Sequence, residues 1–266
     1  MAYRKVDELS LTDIANTIRA KGGTSEPLTF PDGFKSAIES IQSGGGTAIS
    51  EVDQWLIDFW HQRTSFDYAF YKQSIENIPL IDTSNGTSFT YMFYQCSSLT
   101  EIPLIDTSNG TNFSNMFRDC SSLTEIPQLN TSNGTSFLYM FASCSSLTEI
   151  PLIDTSNGTN FGYTFYFCQS LTTISQLDVS SGTNFSNMFA FCPKLTTISF
   201  AEGCIKRAIS FAQSSLLSGE SVQSIIDGLA DLTGGPYQKV TFHSDIVDKL
   251  TDEQKQQVTD KNWTIG

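Results

Sequence analysis

The chain has 266 residues, 39% of them apolar, and a formal net charge of −13. That length and apolar share can bury a substantial core, and no apolar run approaches the ~20 residues of a membrane-spanning helix. The acidic balance argues against nucleic acid or anionic lipid as a partner, since either needs a basic face; protein or carbohydrate partners fit better.

In chain order, the opening Met1-Ala-Tyr-Arg-Lys-Val-Asp-Glu-Leu lacks the apolar core of a signal peptide, so the expectation is a chain not exported by its own sequence. Residues 9–42 read as a helical hairpin. Ser10-x-x-Asp13 resembles a capping box ahead of Leu11, Ile14 and Ile18, Gly22-Gly23 ends that helix, and Asp32 caps a second carrying Phe34, Ile38 and Ile41. Two stripes this short form no core alone, so these six apolar residues are candidates for docking on another protein or on copies of the chain. The few basic residues disfavour a DNA-binding helix-turn-helix.

Gly44-Gly45-Gly46 marks a boundary, giving a docking or oligomerisation segment at 1–43 and a Gly-rich linker at 44–49. Residues 50–65 read as a helix with Val52, Trp55, Leu56, Phe59 and Trp60, too apolar to stay exposed and therefore expected to form an N-terminal cap on the first repeat.

Residues 66–200 are repetitive. Cys recurs at 96, 120, 144, 168 and 192 and Phe at 89, 113, 137, 161 and 185, a period of 24 residues. That period lies in the leucine-rich-repeat range, and one such unit must stack on its neighbours to bury its apolar columns. Leu99-x-x-Ile102-x-Leu104 predicts a strand, with a parallel ladder along residues 100–104. Asn-Gly at 85–86, 109–110, 133–134 and 157–158 predicts tight turns needing positive φ. Phe66 opens a degenerate first repeat, 23 residues before Phe89. The repeated cysteines are expected to be reduced and buried in one column. After Ala201 the period is lost, and 201–266 reads as an α/β C-terminal cap: a helix over 218–232, a strand over 239–243, a helix over 251–260 and a closing Trp263-Thr-Ile. The fold class expected is thus α+β, a leucine-rich-repeat solenoid of 24-residue repeats with a parallel β-ladder, a helical N-terminal segment and an α/β C-terminal cap.

Chemistry is sparse. His61 and His243 lie far apart in the sequence, and no phosphate-binding loop, dinucleotide fingerprint or zinc motif occurs. The expectation is no enzyme, no cofactor and no metal. Asp82, Asp106, Asp154 and Asp178 form a column that suits turn capping better than calcium. Positions that vary between repeats are not demanded by the core, so the columns at 90, 91, 94 and 95 are expected to face outward. They carry Tyr91, Tyr94, Arg118, Tyr139, Tyr163, Tyr166, Phe167 and Phe191, which, with the Glu101, Glu125 and Glu149 column, are the receptor-binding candidates. The alternative for the rings is partial burial between coils.

Met-Phe-x-x-Cys-x-x-Leu-x-x-Ile-Pro with Asp-Thr-Ser-Asn resembles the BspA-like (bacterial surface protein) subclass of leucine-rich repeats. Leu-Thr-Asp-Ile-Ala-x-x-Ile-Arg-x-Lys-x-Gly at 11–23, with Phe30-Pro and Ala37-Ile-Glu-Ser-Ile41, resembles the N-terminal segment of tail and fibre proteins of phages of Gram-positive bacteria. The C-terminal segment, ending Lys-x-Trp-Thr-Ile, resembles the one that often succeeds such repeats in phage proteins. These resemblances imply a virion-associated phage tail or fibre protein: an N-terminal segment joining other tail proteins, a solenoid that recognises a bacterial surface protein or glycan, and homo-oligomers, trimers by analogy. The alternative is a bacterial cell-surface or extracellular adhesin.

Overall fold

The computed structural model describes residues 62–74, 81–102 and 105–266. The expected hairpin with Leu11, Ile14, Ile18, Phe34, Ile38 and Ile41, the linker at 44–49, and residues 50–61 of the expected capping helix lie outside the described residues; residues 62–65, expected to end that helix, instead form a turn and the Ser65 bridge to Ser88. From Phe66 onward the chain forms coils that stack with an offset of one repeat.

Within each coil, the Phe-x-x-Met-Phe-x-x-Cys run is a series of tight turns. Met92 N–H donates to the Phe89 carbonyl, Tyr94 N–H to Tyr91 and Cys96 N–H to Phe93. The intervening N–H groups of Phe89, Tyr91, Phe93 and Gln95 leave the coil and donate to Asn112, Ser114, Met116 and Arg118 in the next, at 2.8–3.0 Å. These backbone donors are thereby satisfied, some locally and some by the neighbour. Ser65, Ser88, Asn112, Ser136, Asn160 and Asn184 bridge in parallel from coil to coil.

Of the ladder expected at 100–104, residues 103–104 lie outside the described residues, and the rest is weaker than the sequence suggests. Thr124 N–H donates to Thr100, Thr172 to Thr148 and Thr196 to Thr172, but among the described residues of the repeats regular strands form only late: β1 Glu149–Ile150, β2 Thr173–Leu177 and β3 Thr197–Phe200, parallel in the order β1-β2-β3. Proline explains the difference. Pro151 stops β1 after two residues because it has no N–H to give, whereas Ser175 and Ser199 stand at that position in β2 and β3.

Two columns of rings run through the core. Phe66, Phe89, Phe113, Phe137, Phe161 and Phe185 stack with centroids 5.4–5.8 Å apart, and so do Phe70, Phe93, Phe117, Phe141, Phe165 and Phe189. Each pair adds ~0.5–1.5 kcal/mol beyond the area it buries. The first coil keeps this register although Phe66 precedes Phe89 by only 23 residues.

All six cysteines are free and buried. Their column uses the thiol as a donor: Cys120 Sγ bonds the Phe93 carbonyl at 2.9 Å, and Cys144, Cys168 and Cys192 repeat the contact on Phe117, Phe141 and Phe165. Cys is small enough for the column and still supplies a weak hydrogen bond to a buried carbonyl. Thr164 replaces the Met of its column and bonds the Phe137 and Phe161 carbonyls at 3.0 and 2.8 Å.

The Asn-Gly turns differ from expectation. No glycine of these pairs has positive φ; among the described glycines only Gly203 and Gly234 do. The turn itself is explained by its neighbours: Ser108 N–H donates to Asp106 Oδ1, Gly110 N–H to the Thr107 carbonyl, and Asn109 Nδ2 to Ser84 one coil back. Glycine is needed for room, since the ring three residues on lies against its Cα.

Residues 201–266 continue the core. β4 Ile209–Phe211, β5 Gln238–Phe242 and β6 Trp263–Ile265 form a parallel sheet in the order β4-β5-β6, and Phe211 stacks on Phe189 at 4.8 Å. The helices are α1 Gly219–Gly228, α2 Ser244–Val247 and α3 Asp252–Asp260, the last opened by a Thr251–Gln254 capping box. α1 stops short of the expected residue 232. Gly228 lies against Phe200, and residues 229–230 leave the helix to pair with Ile205.

This region also closes the last coil. Ile198 and Phe200 N–H donate to Ser221 Oγ and Ser224 Oγ on α1, each at 3.0 Å, and Phe191 N–H donates to Gln213 Oε1 at 2.6 Å. Side-chain acceptors thus stand where the next coil would place carbonyls, which removes an exposed sheet edge.

Candidate functional site

The site candidates follow from backbone conformation. Two residues per coil have φ between 52° and 62°: Tyr68 and Lys72, Tyr91 and Gln95, Asn115 and Asp119, Tyr139 and Ser143, Tyr163 and Phe167, Asn187 and Phe191. Positive φ at the third residue of a turn favours Gly or Asn. Asn115, Asp119 and Asn187 satisfy that preference, whereas an aromatic residue in the left-handed region costs ~1–2 kcal/mol. The backbone therefore does not select Tyr or Phe here.

The rings at these positions and at the neighbouring column form one band. Tyr68 stacks on Tyr91 at 5.0 Å and Tyr71 on Tyr94 at 5.1 Å. Tyr139 stacks on Tyr163 at 4.5 Å; Tyr166 meets Tyr163 and Phe191 edge to face, each at 5.5 Å. Arg118 joins the two groups, its guanidinium 5.6 Å from the Tyr94 ring centre and 4.7 Å from that of Tyr139. Burial and then Tyr163 push the Tyr139 phenol upward in pKa, and Arg118 opposes them.

The structure brings together all eight aromatic and Arg candidates. It departs from the outward-facing expectation at Ser114, Asn115, Ala142 and Gly162, which are buried; Ser114 Oγ pairs with Ser136 Oγ in the next coil, and Asn115 Oδ1 accepts from Arg118. Tyr91, Tyr94, Tyr139, Tyr163 and Tyr166 are half-buried between coils, while Phe167 and Phe191 are 37% and 43% exposed. Tyr68 and Tyr71 extend the band, although the sequence did not single them out. Carrying the 23-residue first spacing onto them aligns them with Tyr91 and Tyr94.

Glu101, Glu125 and Glu149 are exposed, and no ring contact, hydrogen bond or ion pair among the described residues links them to the band. Asp82, Asp106, Asp154 and Asp178 each accept the N–H two residues on, at 2.9–3.0 Å, which is the turn-capping role. Among the described residues no group of three or more His, Cys, Asp or Glu is placed to hold a metal ion, and no helix is long and apolar enough to cross a membrane. Burial raises the Cys96 thiol to about 11 and Cys192 to about 12, so these sulfurs are not poised as nucleophiles.

Beside the band runs a shallow groove along the stack, from Lys72 past Gln95, Asp119 and Ser143 to Phe167. Stacked coils, parallel sheets and a surface band of rings define a repeat protein with mixed helix and strand content. A family model described as "Mycoplasma protein of unknown function, DUF285" matches residues 64–173 and 135–199, together just over half of the chain. The chain belongs to that family, a repeat family of BspA-like type. Comparison with curated proteins and with solved structures finds no match.

Proposed function

We propose that residues 66–200 are a leucine-rich-repeat solenoid and that the chain is a non-enzymatic, virion-associated phage tail protein whose solenoid recognises a host-cell receptor. The observation that carries the recognition role is the set of aromatic side chains at left-handed positions, where the backbone favours Gly or Asn. Rings held at an energetic cost, in register on a rigid stack, suit recognition of a partner better than they suit folding. The virion assignment rests on the resemblance of residues 11–41, through which Leu11, Ile14, Ile18, Phe34, Ile38 and Ile41 would dock to other tail proteins or to further copies of the chain.

The family match, to a model named for bacterial proteins, favours a second reading as a bacterial surface adhesin. Neighbouring tail or lysis genes distinguish the first reading from the second, for which an anchor or secretion locus is expected. The direct test is binding of the full chain to a panel of intact bacterial cells, alongside a Tyr91→Ala/Tyr163→Ala variant that removes two of the left-handed rings. Saturable binding that the variant loses supports recognition through the band. Equal binding by the variant moves the contact elsewhere, and binding to no cell points to a structural role.

A further inference from the structure

We propose that the ligand of this face is an uncharged, hydroxyl-rich glycan chain lying along the stack in the groove between Lys72 and Phe167. The proposal rests on the recognition role above and names the chemical class it serves.

The groove crosses five coils, four spacings of ~4.8 Å or ~19 Å in all, the length of a short oligosaccharide. Its walls are hydroxyls and amides from Ser97, Ser121, Ser143, Ser145, Gln95 and Gln169. Ser hydroxyls and Gln amides can each both donate and accept, as sugar hydroxyls require. Their recurrence along the coils suits a polymer that repeats at short intervals.

Charge argues against the alternatives. A polyanion would meet one groove cation, Lys72, on a chain of net charge −13. A basic peptide would meet one groove carboxylate, Asp119, which already faces Arg118 at 3.6 Å. An apolar peptide needs side-chain pockets, and the groove is open and lined mainly by short serine side chains.

Ring geometry adds the second requirement, a flat apolar platform for the C–H face of a sugar. In the Tyr68–Tyr91, Tyr71–Tyr94 and Tyr139–Tyr163 pairs the planes are within 12° of parallel, so each ring covers its neighbour's face. Phe167 and Phe191 are instead tilted by 59° and keep more than a third of their surface exposed. Phe167 forms one end of the groove, and that is where a sugar would stack.

The test uses intact bacterial cells that bind the full chain. They are treated separately with periodate, which cleaves vicinal diols, and with a broad protease, then tested again. The expected result is at least a tenfold loss after periodate, whatever the protease does, and a similar loss for Phe167→Ala/Phe191→Ala on untreated cells. Ser121→Leu/Ser145→Leu fills the groove while leaving both Phe residues in the sequence and is expected to lose binding too, while exposed Leu152→Ala keeps it. Circular dichroism and thermal midpoints establish that each variant is folded. Binding that survives periodate and is lost to protease overturns the glycan class and leaves the recognition role standing. Binding to no cell overturns both.

Discussion

A Cβ placed on Gly110 would lie 2.5 Å from Cζ of Phe113 and 2.9 Å from the Thr107 carbonyl oxygen. The ring belongs to a packed column and cannot retreat without disturbing Phe89 and Phe137 on either side. Gly110→Ala is therefore expected to lower stability by ~1–3 kcal/mol, the range for overpacking. Gly219→Ala is the control, because a Cβ there meets nothing within 4 Å. Urea unfolding of the two variants checks this, and equal effects would remove the packing explanation for the Asn-Gly pairs.

Removing the acceptors that close the last coil should weaken the whole stack. Ser221→Ala and Ser224→Ala each leave a backbone N–H without its partner, at a cost of ~1–3 kcal/mol for a buried group. Ser221→Thr keeps the hydroxyl and is expected to recover part of the loss. Hydrogen exchange at Ile198 and Phe200 is the specific readout: a structural change elsewhere on α1 would not single out those two amides.

The thiols make a prediction in pH. An unfolded cysteine titrates near ~8.5, whereas burial raises Cys96 to about 11 and Cys192 to about 12 in the folded chain. The folded state thus holds these protons more tightly. The stability contributed is complete below the unfolded value and falls as pH rises from there through the folded values. Native protein at pH 8 is expected to resist a thiol reagent that labels all six cysteines in denaturant, and the urea midpoint should drop between pH 8.5 and 11. Rapid labelling of the native chain would contradict the buried column.

Among the described residues, Arg118 is the only cation set over rings on both sides of the gap between the two tyrosine groups. Its removal in Arg118→Ala should cost ~0.5–1 kcal/mol, as at other exposed cation–π contacts. The sharper readout is the Tyr139 phenol: with the opposing charge gone, its pKa should rise further. Ultraviolet titration of the variant against the parent checks the direction, and an unchanged or lower value would show that the guanidinium does not sit over that ring in solution.

The repeat was legible because its period is written in residue identity: Phe, Cys and Leu recur at fixed intervals whatever the backbone does between them. The two longer C-terminal helices were also legible, expected over 218–232 and 251–260; Ser218 and Thr251 prove to be their N-caps. The short β4 and α2 went unread, being too brief to show a period. The positive-φ expectation for Asn-Gly failed because glycine serves two needs, free dihedrals and close approach, and sequence cannot tell which is in force.

By itself, then, the sequence determined the 24-residue stack, the buried cysteine column and the set of variable aromatic positions. Only the tertiary structure decided where the strained residues lie, that Pro151 cuts the strand ladder short, and that Arg118 welds separate tyrosines into one band. The physical reason is that periodicity fixes which residues share a column. What a column does depends on neighbours one coil away, in space rather than in sequence.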